Sequence, residues 1–227
     1  METLATIKVS IVLHPIFGME TKERIQKKAH ELFLRYGIRS VSMDDIAAQL
    51  GMSKKTIYQF FSEKDELVTA VMDDEVNYTQ HKCEMCKNNA RNAVEEIFLT
   101  LERMYEQFAN LNPVVLYDAE KFHPKAFERF RKMKEVFLYE IVAHNIRRGI
   151  EEELYREDIS VEVMSRYRVE TMMIPFAMAA SAPGKFNLID LTRETMEHFL
   201  FGLSTSKGHK LIMKYKEEYK KKQHSKP

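Results

Sequence analysis

Ser42-Met43-Asp44-Asp45-Ile46-Ala47-Ala48-Gln49-Leu50-Gly51-Met52-Ser53-Lys54-Lys55-Thr56-Ile57-Tyr58-Gln59-Phe60-Phe61-Ser62-Glu63-Lys64 reads as two short helices joined by a tight turn. Ser42 can cap the first helix, because its side-chain oxygen accepts a backbone N–H of the opening turn, and Asp45 completes a capping box three residues on. Ile46, Ala47 and Leu50 share one face, and Gly51 supplies the positive φ that ends the helix. Ser53 can cap the second helix, where Ile57, Phe60 and Phe61 at i, i+3, i+4 spacing form the side expected to be buried. At about 100° per residue, Lys55 and Gln59 point away from that side, flanked by Lys54, Thr56 and Tyr58. An apolar back and a front of ammonium, amide, hydroxyl and phenol groups suit a helix-turn-helix that reads a nucleic-acid groove.

Thr56 to Lys64, preceded by Ile46-Ala47 and Gly51-Met52-Ser53, resembles the N-terminal DNA-binding domain of the tetracycline-repressor (TetR) family over Thr21 to Leu67. There are two departures: Lys55 stands where the family often has glycine, and Phe60 where histidine or tyrosine is common. The resemblance implies an all-α fold, with an N-terminal three-helix helix-turn-helix domain and a larger C-terminal helical domain for ligand binding and dimerisation. It also implies a repressor that binds a double-stranded, palindromic DNA operator as a homodimer and is released by a small, apolar or amphipathic inducer. The expected DNA contacts are Ser42, Ser53, Lys54, Lys55, Thr56, Tyr58, Gln59 and Lys64. Tyr58 and Lys64 match family positions that meet the phosphate backbone, whereas Lys55 and Gln59 project from the centre of the front, where lysine suits guanine and glutamine suits adenine. Phe108, Tyr117, Phe137, Met172, Met173 and Phe176 lie on helices that enclose the family's cavity, which makes them the expected inducer pocket.

Composition bounds the possibilities without selecting among them. The 227 residues carry a net charge of +1, and Glu20 to Asp65 holds nine Lys/Arg against seven Asp/Glu, so charge gives little support to a DNA reading. Seven glycines, six prolines and no tryptophan favour helices over sheets. The longest apolar run, Met172 to Ala182, is broken by Pro175 and Ser181 and falls short of the roughly 18 residues of a membrane helix. The N-terminus has too short an apolar centre for a secretory signal, so a cytoplasmic location without membrane contact is expected. Cys83 and Cys86, in His81-Lys82-Cys83-Glu84-Met85-Cys86, are too few for a disulfide framework and lack the second pair of ligands that a closed zinc site needs. No metal and no cofactor are expected.

Four segments follow from the pattern. Residues 1–19 alternate like a strand at Ile7, Val9, Ile11 and Leu13, with no partner in a helical chain, and are expected to be a disordered or non-native extension. Residues 20–66 form the helix-turn-helix domain, with Thr21 as the cap of a bracing helix that ends at Gly37. Residues 67–206 form the ligand-binding and dimerisation domain. Ser62 with Asp65 should cap a long connecting helix. Asn112-Pro113 and Pro124 should open later helices, the second carrying Phe127, Phe130, Met133, Phe137, Ile141 and Val142 as far as Arg148-Gly149. Glu153 stands where a second glycine is usual in the family's turn.

From Ser160 two helices are expected, broken at Ala182-Pro183-Gly184, with Asp190 as the cap of the second. The second is apolar over most of its circumference and needs more than one partner, which places Met196, Phe199, Leu200 and Leu203 at a dimer interface. Residues 207–227, with eight lysines and two glutamates, read as a solvated basic tail whose Leu211, Ile212, Tyr215 and Tyr219 make a weak stripe. An enzyme would need convergent acid, base or metal-ligand groups; neither a P-loop, a G-x-S-x-G elbow nor an H-E-x-x-H motif is present. An interaction module with a degenerate helix-turn-helix would not need the intact front of Lys54, Lys55, Thr56, Tyr58 and Gln59.

Overall fold

The computed structural model describes residues 14–109 and 111–224, and every regular element among them is helical. The helices are α1 (His14–Tyr36), α2 (Met43–Leu50), α3 (Lys54–Phe60), α4 (Lys64–Asn89), α5 (Ala93–Phe108), α6 (Val114–Phe122) and α7 (Pro124–Lys132). A π-helical segment (Met133–Leu138) then leads into α8 (Tyr139–Glu151), followed by α9 (Val161–Thr171), α10 (Ile174–Ser181), α11 (Leu188–Leu203) and α12 (Ser206–His224). An isolated antiparallel bridge joins Tyr155 to Ser204. No helix among the described residues is long and apolar enough to cross a membrane.

The expected local signals hold in the helix-turn-helix. Ser42 accepts the Asp45 N–H while the Asp45 carboxylate accepts the Ser42 N–H, closing the box, and Gly51 ends α2 at φ 63°. Ser53 accepts the Thr56 N–H at 3.1 Å. Ile57 and Phe61 are buried, and Phe60 is partly buried against the same core. Gly37, at φ 83°, ends α1.

Other expectations need correction. The helix that Thr21 was expected to cap begins earlier, at His14, so Thr21 lies inside α1. The strand-like alternation from Ile7 to Leu13 lies outside the described residues. Asp65 does not cap α4: Glu66 accepts both the N–H and the hydroxyl of Ser62, leaving Asp65 to accept from His123 Nδ1 at 2.7 Å. Asn187, one turn before Asp190, caps α11 by accepting the N–H groups of Ile189 and Asp190. The helix after Ser160 is split at Met172-Met173, because Pro175 opens α10.

Two cores hold the chain together. The first joins α1 to α4 with Val115, Ala119 and Ala126 of α6 and α7, so it runs from the helix-turn-helix into the larger domain. The second gathers Phe98 and Leu101 of α5, Ile146 of α8, the apolar side of α11, and Ile212, Tyr215 and Tyr219 of α12. Residues 206–224 are therefore a docked helix and not a solvated tail; Ile212 is fully buried and Tyr215 and Tyr219 pack on Phe98. This docking also corrects the dimer assignment. Met196, Phe199, Leu200 and Leu203 are buried within one chain, since α5, α10 and α12 pack against the faces of α11 that the sequence leaves unpartnered. Glycine is required at Gly149, where an added Cβ would fall 2.0 Å from the Tyr155 ring, while Glu153 takes the left-handed φ of 59° itself.

Candidate nucleic-acid interface and ligand cavity

The front of α3 is open. Lys55 and Gln59 are exposed with Ser53, Tyr58 is 41% exposed, and Lys54 reaches back to Asp44 at 2.9 Å with its ammonium 5.8 Å from the Tyr58 ring centroid. Ser53 and Thr56 share a hydroxyl hydrogen bond of 2.8 Å at the start of the helix. Ser42 lies at the start of α2, its hydroxyl donating to Asp45. Lys64 differs from these. It is only half-exposed, donates to the Ile38 carbonyl at 2.6 Å, and is held by burial below the usual lysine pKa.

Three contacts fasten this unit to the larger domain. Asp65 at the start of α4 holds His123 between α6 and α7, the Arg39 N–H donates to Asp118 of α6 at 2.9 Å, and the Asn112 N–H donates to the Leu34 carbonyl at 2.6 Å. A displacement of α6 therefore bears on the turn between α1 and α2 and on the start of α4 together.

Beneath this junction lies a largely apolar cavity of about 260 Å³. Phe108, Met172, Met173 and Phe176 line it, with the Phe108 and Phe176 rings edge to face at 5.2 Å. Tyr117 and Phe137 do not. Tyr117 is 52% exposed and accepts a hydrogen bond from Lys121 on the surface. Phe137 misses because the π segment widens one turn: Met133 is followed on the cavity wall by Leu138, and then by Ile141, Val142 and Asn145. Met196 and Phe199, assigned by sequence to a dimer face, line the cavity instead. So do His30, Phe33, Leu34 and Ile38 on the helix-turn-helix side, which gives the two regions a common wall.

The polar groups around this space were not found by sequence reasoning, for they lie on different helices and share no spacing. His30 Nε2 meets Glu75 at 2.8 Å, and Gln107 donates to the other Glu75 oxygen, linking α1, α4 and α5. Asn145 donates to the Ala93 carbonyl and accepts from the buried Tyr155 hydroxyl. Glu96 is 3% exposed; its Oε2 accepts no hydrogen bond and lies 3.6 Å from Arg148, and burial raises its pKa above the usual carboxyl range. Arg168, 6% exposed, has burial lower its pKa to about 10. Cys83 and Cys86 also face the cavity, and burial pushes the Cys83 thiol up to about 12. Among the described residues no three metal-ligating side chains converge.

Residues 25–71, the segment carrying the open α3 face and its supporting core, match the family model for bacterial regulatory proteins of the tetR family. Over that segment the chain is similar to the tetR family. One relative, an uncharacterized HTH-type transcriptional regulator (YvaF) of Bacillus subtilis, is 31% identical over 46% of this chain and 55% of its own length. The chain spans 55% and 62% of the lengths of the first two curated relatives it matches. Its fold is that of a Saccharomonospora viridis transcriptional regulator in complex with choline (TM-score 0.68, 18% identity, covering 82% of this chain and 99% of the other). It is also that of the transcriptional regulator FadR from Bacillus subtilis in complex with stearoyl-CoA (TM-score 0.63, 17% identity, covering 80% and 98%).

Proposed function

We propose that the protein is a ligand-responsive transcriptional repressor acting in the cytoplasm, in which two copies bind a palindromic operator and a small apolar or amphipathic inducer releases them. The observation that carries this reading is the common wall. The cavity is lined by Phe33 and Leu34 of α1 and by Ile38 in the turn after it, which share a core with Ile57 and Phe60 on the buried side of α3. A molecule filling the cavity touches the DNA-binding unit directly and also α4, which bears on His123 through Asp65. A preference of about 1–3 kcal/mol for the DNA-incompetent arrangement suffices to change operator affinity about 5- to 150-fold. Two structural neighbours are described in complex with small molecules of different chemistry, so the fold accommodates ligands without naming this one.

Homodimer formation requires a face other than Met196, Phe199, Leu200 and Leu203. Val163 and Tyr167 of α9 and Ile174 of α10 expose 62%, 48% and 43% of their surface, and Gly202 of α11 is open as well; on α9 to α11 these positions are available to a second copy. Two α3 helices about 34–36 Å apart would then match half-sites one helical turn apart. Lys55 and Gln59 would read base edges, while Ser42, Ser53, Lys54, Thr56, Tyr58 and Lys64 would hold the backbone.

Selecting bound sequences from a random DNA pool tests the proposal. A palindromic consensus is expected, and Gln59→Ala should cost about 1–3 kcal/mol on it while leaving scrambled DNA nearly unaffected. Equal losses on both DNAs would remove Gln59 from the base-reading set, and failure to enrich any sequence would overturn the operator reading.

A further inference from the structure

Among the described residues Arg168 is the one buried cation on the cavity wall, and no carboxylate pairs with it. Its Nη2 donates to the Met196 sulfur at 3.1 Å, and its guanidinium carbon lies 5.8 Å from the Phe199 ring centroid. Neither is an anion. Acids nearby in sequence are engaged elsewhere: Glu170 pairs with Lys134 at 3.1 Å, and Glu197 with Lys216. A buried cation with no carboxylate is costly, and arginine cannot discharge to relieve the cost as a buried lysine can. Among the described residues four of its five N–H hydrogens meet no acceptor, and their fork geometry fits a planar oxyanion.

Met172, Met173, Phe176, Met196 and Phe199 surround this site with thioether and aromatic surface. Building on the ligand-cavity reading above, we infer that the natural ligand is a monoanionic amphipath, an apolar body bearing one carboxylate, whose acid group pairs with Arg168. Glu96 is the competing polar feature, since a cationic ligand could pair with it. It is the weaker candidate because Arg148 already lies at 3.6 Å and because a carboxyl can shed its charge by protonation. Docking an acid on Arg168 would neutralise the guanidinium and draw α9 and α11 toward the ligand, the two helices that carry Arg168 and its Met196 and Phe199 neighbours.

Titration calorimetry with decanoate, 1-decanol and decylamine against the full chain and its Arg168→Met variant tests the inference. Decanoate should bind the natural chain at least about tenfold more tightly than 1-decanol. Arg168→Met should abolish that preference while leaving 1-decanol binding within about twofold, because methionine replaces the aliphatic stem of the arginine with an apolar chain of similar reach and removes the charged guanidinium with its N–H donors. Arg168→Gln supplies the same comparison should the methionine variant not fold. Equal affinity for decanoate and 1-decanol, or an unchanged preference in the variants, overturns the role of Arg168 while leaving the cavity a ligand site. Tightest binding by decylamine overturns it in favour of Glu96. Absence of binding by all three probes, with octanoate and dodecanoate also inert, overturns the ligand-cavity reading and this inference with it.

Discussion

Replacing Lys64 with methionine should separate two roles that meet at one ammonium group. The structure shows the first: Nζ donates to the Ile38 carbonyl at 2.6 Å and sits 5.9 Å from the Phe33 ring centroid, tying the start of α4 to the turn after α1. A hydrogen bond from a charged donor contributes about 1.5–3 kcal/mol where its loss strands the partner. Lys64 is only half-buried, so water can reach the abandoned carbonyl, and the expected loss shrinks to about 1 kcal/mol. For a chain of this size that corresponds to a fall in Tm of about 2–4 °C. The second role is the proposed phosphate contact, for which two ammonium hydrogens remain. Losing one phosphate contact per subunit should reduce the slope of log K against log salt by about 0.9, or about 1.8 for a dimer on its operator. Thermal melts and anisotropy titrations at several potassium chloride concentrations read the two effects independently. Lys55→Met serves as a control, because that exposed side chain should leave Tm unchanged. A fall in Tm with an unaltered salt slope would show that Lys64 is only a strut between α4 and the α1–α2 turn. A reduced slope with an unaltered Tm would show that the Ile38 contact adds nothing.

Three further outcomes are expected. Gly149→Ala gains about 1 kcal/mol of helix propensity but drives a Cβ to 2.0 Å from the Tyr155 ring, which is fully buried and anchored to Asn145; overpacking of about 1–3 kcal/mol or more should win, and a rise in Tm would refute the contact. Met173→Ala should alter ligand response, whereas Phe137→Ala, off the cavity wall, should leave ligand affinity unchanged; the reverse pattern would refute the register assigned to the π segment. The Cys83 thiol titrates at about 12 in the folded chain against 9.0 for an unperturbed thiol, so its contribution to stability is complete below pH 9 and is lost as pH rises toward 12. Iodoacetamide should accordingly alkylate the native protein at pH 8 far more slowly than the urea-unfolded chain, and equal rates would contradict the burial.

The helix-turn-helix was legible because its determinants are local: Ser42, Asp45, Gly51 and Ser53 act on backbone groups within one turn, and nothing distant outbids them. Ser62 and Asp65 show the opposite case, in which a histidine 58 residues away claims the carboxylate and Glu66 takes its place. Phe137 followed the 3.6-residue period faithfully, but a single wide turn starting at Met133 shifts the wall by one position, and no period in the sequence records it. Met196 and Phe199 were correctly read as apolar on a helix needing several partners; those partners proved to be α5, α10 and α12 of the same chain. Arg168 was invisible because an arginine in a helix is usually solvated, and only tertiary packing reveals that this one is enclosed.

The first core has an implication for how such a protein can change its target. Ile25, Ala29, Phe33, Val68 and Val71 pack in one cluster with Val115, Ala119 and Ala126, so the segment that carries α3 has no back surface of its own. Transplanting residues 20–66 from a relative would set foreign side chains against α6 and α7 and leave holes or clashes in the close-packed interior. New operator preferences are therefore more accessible through the exposed positions of α3, where Lys55 and Gln59 can vary without disturbing a buried neighbour. New ligand preferences are more constrained, because substitutions at Phe33, Leu34 or Ile38 also reshape the support beneath α3. Divergence in this lineage should run quickly on the outer surface of α3 and slowly along the inner side of α1, two faces of one small domain evolving at different tempos.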